Sequence, residues 1–175
     1  MPEPRTGGGP GSVRPLAEPV LETVRLAISR GLTVATAESL TAGLVAARLA
    51  DVPGASAMLR GGVVAYHNQV KEQVLGVGAE LLAERGSVDA DVARAMAAGA
   101  RQACGADFAV STTGVAGPDA HDGKPVGTVY IGIAGMAGAQ AFAHHFVGGR
   151  EQIREAALRA AVGHLLNALR EFPGK

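Results

Sequence analysis

The side chains able to do chemistry collect between Thr36 and Lys71, in the stretch TAESLTAGLVAARLADVPGASAMLRGGVVAYHNQVK. The run from Gly31 to Ser39 reads as a buried strand ending in a small polar turn. A helix then starts near Thr41, with Ser39 or Thr41 able to supply its N-cap oxygen. A strand passing into a helix this way leaves free N–H groups at a positive dipole end, which suits an anion or an oxyanion. Pro53-Gly54 breaks that helix, and Ser56 follows at once. A serine beside Pro-Gly is ordinarily a turn residue or a cap. The apolar segment from Arg60 to Tyr66 leads into His67, Asn68 and Lys71; on residue type alone Tyr66 is a core aromatic and Lys71 a solvated helix lysine.

Three further places carry reactive side chains. The segment from Ala106 to Pro118 is a strand running into a glycine-bearing loop, and ligands of open α/β sheets bind at such strand ends. Thr113 lies there and Ser39 at the end of another strand; either hydroxyl could be a cap or turn group. Arg150 opens the last helix, where the dipole does not favour a cation, so it either faces solvent or answers an external anion. DAHDGK (Asp119 to Lys124) gathers two carboxylates and a histidine, but it reads as a solvated turn without a second ligand set, and no metal is expected. His144 and His145 are adjacent on a strand, point to opposite faces and cannot chelate one ion together.

The elements that must hold these residues alternate. Leu16 to Gly31 has a helical apolar period with Gly31 just past its end. After Lys71 come a short helix stopped near Gly76, another turn or two over AELLAERG, and a longer amphipathic helix capped at Asp89 or Asp91. VYIGIA and AFAHHFV read as an antiparallel hairpin turning around Gly135 to Gly138, and Arg150 to Phe172 as a long helix. Alternating strands and helices imply an α/β protein, a three-layer α/β/α sandwich with a mixed central sheet. Residues 1–15, rich in Pro and Gly, read as a disordered tail, and residues 16–172 as one domain.

Composition narrows the partners. The chain has 175 residues, 47% hydrophobic and only 3% aromatic with no Trp, so the core must be built from Ala, Val, Leu and Ile, with helices laid closely on the sheet. Sixteen basic and sixteen acidic residues give a formal net charge of +0, which removes the long-range attraction to nucleic acid. No apolar run approaches a membrane span and no signal peptide is visible. A cytoplasmic protein is expected. The single cysteine, Cys104, reads as a small buried thiol at a helix end.

Five strings, TAES-x-T-x-G (Thr36 to Gly43), G-x-S with V-x-Y-x-N-x-x-K (Gly54 to Lys71), TTGVAGPD (Thr112 to Asp119), KPVGTVYIGIA (Lys124 to Ala134) and GGR (Gly148 to Arg150), resemble the CinA carboxy-terminal domain family from about Val20 to about Leu169. Enzymatic members of that family are nicotinamide-nucleotide amidases. The resemblance implies hydrolysis of the carboxamide of nicotinamide mononucleotide without a cofactor, in pyridine-nucleotide salvage. It assigns Ser56 as nucleophile and Lys71 as general base, with Tyr66, Ser39 and Thr113 in the active site, and Thr41, Gly43, Gly114 and Arg150 in substrate binding. Lys71 can be a base only if its pKa drops from about 10.4 by roughly three units, which costs about 4 kcal/mol. Burial and a neighbouring cation, Arg150 or Arg60, would have to supply that. Leu40 stands where the family often has cysteine, and Ala42 where it often has glycine. The other class of function is a non-catalytic nucleotide-binding or competence-associated interaction module. A homodimer is expected from the Ala-rich helix faces.

Overall fold

The computed structural model describes residues 18–173, so the tail over residues 1–15 lies outside the described residues. The described residues form six helices and five strands in the order α1 (Glu18–Ser29), β1 (Val34–Glu38), α2 (Leu44–Ala50), a 3-10 turn (Ala55–Ala57), β2 (Leu59–Val64), α3 (Asn68–Gln73), α4 (Ala79–Arg85), α5 (Ala90–Ala103), β3 (Phe108–Gly114), β4 (Thr128–Gly135), β5 (Gly138–His145) and α6 (Arg150–Glu171). The strands form one sheet in the order β2-β1-β3-β4-β5. β1 runs parallel to β2 and β3, while β4 pairs antiparallel with both β3 and β5. The expected mixed-sheet sandwich is the architecture observed.

Side-chain alternation sorts the core into two halves. Val34, Phe108, Val110, Val129, Ile131 and Ile133 pack against α1, α2 and α6. Ala35, Ala37 and Ala109 turn to the other face and meet Val92, Met96 and Ala100 of α5. The residues on that face are small because α5 lies close: a Cβ on Gly132 would stand 2.2 Å from the Ala93 carbonyl oxygen. Here the low aromatic content has its structural use, since a backbone-to-backbone approach leaves no room for rings.

Helix ends follow the expected chemistry with one exception. Asp89 caps α5, its carboxylate accepting from the Asp91 amide at 2.8 Å. Gly31, φ 61°, follows α1 as the sequence implied. The start of α2, however, is capped by neither Ser39 nor Thr41: the buried carboxylate of Glu38 accepts from the amides of Gly43, Val45 and Ala46 at 2.9, 3.0 and 2.8 Å. The anion-binding end predicted there is filled by the chain itself. Cys104 is half-buried rather than buried.

Candidate active site

A cleft of about 560 Å³ opens beyond the C-terminal ends of β1 and β3. From β1 the chain passes to β2 on one side, while β3 lies on the other. Strand order reverses there, and that is where open α/β sheets place ligands. The turn after β1 brings Ser39 and Leu40 to the cleft, the β2–α3 connection brings Tyr66, His67, Asn68 and Lys71, and the loop after β3 brings Thr113 to His121. Ser87 and Val88 line its floor, and Arg150 reaches it from the start of α6.

Lys71 is altered by its surroundings. It is the buried residue of the short helix α3, 1% exposed, it lines the cleft, and its side chain has no hydrogen-bond partner among the described residues. Burial lowers its pKa below the ordinary 10.5, opposed by the negative charge of Asp122. Neither Arg150 nor Arg60 contributes to the shift, and Arg60, exposed on β2, does not line the cleft. Desolvation therefore does what the sequence reading had shared with a neighbouring cation.

Among the cleft hydroxyls, engagement differs. Thr113 Oγ1 donates to the Ser87 carbonyl at 2.5 Å. Ser87 Oγ donates to Asp122 Oδ2 at 2.8 Å, and the Ser87 amide donates to the same oxygen at 2.5 Å. Burial works against ionisation of Asp122, but the two Ser87 bonds together with His121 and Lys71 outweigh it and hold its carboxyl below the usual range. Ser39, half-buried, makes no side-chain hydrogen bond to the described residues. Its Oγ is the cleft hydroxyl left for a ligand.

At the rim, Arg150 donates from Nη1 to the Gly117 carbonyl at 2.6 Å and from Nη2 to the Tyr66 hydroxyl at 2.7 Å. Tyr66 is 57% exposed, so it is a rim residue and not a core aromatic. An exposed guanidinium held in place by a carbonyl and a phenol is an anion-binding element of the kind that suits phosphate.

The structure corrects several sequence expectations. Ser56 is exposed on the 3-10 turn before β2 and does not line the cleft. Lys71 follows the far end of that strand, and six residues at about 3.3 Å each hold the two ends apart. The structure thus sets Ser56 apart from Lys71: parallel strands send their N-terminal connections to the opposite end of the sheet from the site. Thr41 is fully buried, its Oγ1 2.7 Å from Thr112 Oγ1, and Gly43 gives its amide to Glu38; neither lines the cleft. Gly114 does line it, and a Cβ there would lie 2.6 Å from the Thr128 carbonyl oxygen, so β4 demands that glycine. Ser87, Asp122 and Glu38 were missed. Ser87 and Asp122 lie 35 residues apart in segments read as scaffold and solvated turn, and no local signal joins them; Glu38 sits in the first family string, but a carboxylate ending a strand gives no hint of its three backbone partners.

Residues 17–169 match the CinA C-terminal domain. The chain belongs to this family. It is 53% identical over 131 residues to a CinA-like protein of Geobacter sulfurreducens, covering 74% of this chain and 32% of the relative. A CinA-like protein of an Anaeromyxobacter species is 51% identical over 153 residues, 87% of this chain and 37% of its own length. The chain thus spans about a third of the length of these relatives. Among solved structures, a CinA superfamily protein of Klebsiella pneumoniae superposes with a TM-score of 0.85 at 33% identity, covering 89% of this chain and 98% of that one. The competence/damage inducible protein CihA of Agrobacterium tumefaciens does so with 0.82 at 37% identity, covering 91% and 100%. Among the described residues no helix is long and apolar enough to cross a membrane.

Proposed function

We propose that this domain hydrolyses the carboxamide of nicotinamide mononucleotide, giving nicotinate mononucleotide and ammonia, with Ser39 as nucleophile and Lys71 as base. The observation that carries the reading is that the one cleft hydroxyl left unengaged among the described residues, on Ser39, shares its cavity with a buried lysine whose pKa is lowered. Neutral Lys71 takes the Ser39 proton as Oγ attacks the carboxamide carbon. The tetrahedral intermediate collapses, the C–N bond breaks, and Lys71 returns the proton to the departing ammonia. Lys71 then deprotonates a water that hydrolyses the acyl ester, releasing the acid and restoring both groups. Arg150, steadied by Tyr66 and Gly117, binds the phosphate. A cleft of this size falls in the range for a mononucleotide. The same reading takes the protein to be cytoplasmic and homodimeric; light scattering checks the second point.

Ammonia release from the nucleotide, followed for the wild type, Ser39→Ala, Lys71→Met and Ser56→Ala, tests the assignment. Wild type and Ser56→Ala should turn over alike, with Ser39→Ala and Lys71→Met slower by about 10²-fold or more. Loss of activity in Ser56→Ala alone would overturn the assignment to Ser39. Nucleotide binding without turnover in any of the four would instead make the domain a non-catalytic binding module.

A further inference from the structure

The turn between β1 and α2 is gripped from two sides by groups of opposite charge. On the helix side, Glu38 takes the amides of Gly43, Val45 and Ala46. On the α6 side, Arg154 donates from Nε to the Leu40 carbonyl and from Nη2 to the Thr41 carbonyl, both at 2.9 Å. Other groups of the turn are also spoken for: the Ser39 amide donates to Thr112, the Ala42 amide to the Ser39 carbonyl, and the Leu44 amide to the Thr41 carbonyl. Two N–H groups are left over, those of Leu40 and Thr41, which have no acceptor among the described residues. Both residues are buried, 4% and 0% exposed. Buried amides without an acceptor are rare in folded proteins and call for a partner.

Their position relative to Ser39 suggests the partner. Leu40 and Thr41 directly follow Ser39, and Leu40 lines the cleft. Tying the Leu40 and Thr41 carbonyls back to α6 fixes the turn in which the Leu40 N–H sits. The turn also carries strain: Ala42 has φ 51°, a left-handed conformation that costs a residue with a Cβ about 1–2 kcal/mol. Such a conformation persists where its surroundings over-determine it, and the surroundings here are the two charged grips.

We propose that Arg154 is a positioning residue of the reaction, its guanidinium holding the Leu40 and Thr41 carbonyls, and with them the turn, so that the unclaimed amide of Leu40, the one of the two whose residue lines the cleft, receives the oxyanion formed when Ser39 attacks. The inference rests on the amide-hydrolysis reading above. Arg154 does not touch the substrate; it acts through the peptide groups.

The test compares Arg154→Met, Arg154→Lys and Arg154→Ala with the wild type as full chains, measuring kcat and KM for the nucleotide, the melting temperature, and the effect of millimolar, non-denaturing guanidinium on Arg154→Ala. Loss of one oxyanion donor lowers kcat by about 10²–10³, so kcat should fall by about 10²-fold in Arg154→Met, with KM within about threefold. Arg154→Lys, which keeps the charge and one of the two bonds, should fall between; added guanidinium should restore part of kcat in Arg154→Ala. Should Arg154→Met fail to fold, Arg154→Lys and the rescue carry the comparison. An active wild type with Arg154→Met at near wild-type kcat overturns this inference alone. So does activity that only tracks the loss of folded protein and is not rescued. A wild type that releases no ammonia defeats the hydrolysis reading, and the positioning role with it.

Discussion

Replacing Lys71 with methionine separates the chemistry of its amine from the cost of burying it. The side chain is 1% exposed and its pKa is lowered by desolvation, so folding favours the neutral amine while the unfolded chain carries an ammonium up to the ordinary pKa of 10.5. Between the folded and unfolded pKa values the unfolded state holds more protons. Stability of the wild type must therefore rise with pH across that window, with a slope of at most about 1.4 kcal/mol per pH unit for one group. Below the folded pKa the penalty is present in full, and above 10.5 it is gone. Lys71→Met fills nearly the same volume without a charge, so its stability lacks this slope and exceeds that of the wild type most at low pH. Activity moves the other way, falling by about 10²–10⁴-fold as expected for a lost general base. Urea unfolding of both proteins from about pH 6 to about pH 10, alongside ammonia release, measures both effects. Parallel stability profiles would mean the ammonium is solvated in the native state and cannot be the base; a variant that still turned over at the wild-type rate would refute the role directly.

Two other outcomes follow from the geometry. Asp122 raises the pKa of Lys71, so Asp122→Asn, which still accepts from Ser87, should move the rising limb of the pH profile of kcat/KM to lower pH; an unmoved or upward-shifted limb would show that the two groups are not coupled. Gly132→Ala places a Cβ 2.2 Å from the Ala93 carbonyl oxygen, and forcing α5 off the sheet should destabilise the fold by about 1–3 kcal/mol in thermal or urea unfolding, so a neutral substitution would mean that the close packing of α5 is not needed.

Local pattern carried most of the architecture. The helical period of α1 and α6, the glycine-punctuated hairpin of β4 and β5, and the Asp89 cap are each written in a few consecutive residues, because backbone preference and side-chain alternation act over that range. The small-residue core followed from composition, and Gly132 against α5 is its consequence. Lys71, Tyr66, Ser39, Thr113 and Arg150 came from short family strings, and the fold brings all five to one cleft. What those strings leave open is distance. Ser56 and Ser39 are both serines in small polar turns; which one shares a cavity with Lys71 depends on parallel strand direction, which puts the connection before β2 at one end of the sheet and the turn after β1 at the other. Partnerships such as Glu38 with the start of α2, Asp122 with Ser87, and Arg154 with Leu40 and Thr41 likewise arise only when the layers close. Desolvation of Lys71 is the clearest case: a pKa depends on everything packed around the group, and in a chain that means residues far apart in order.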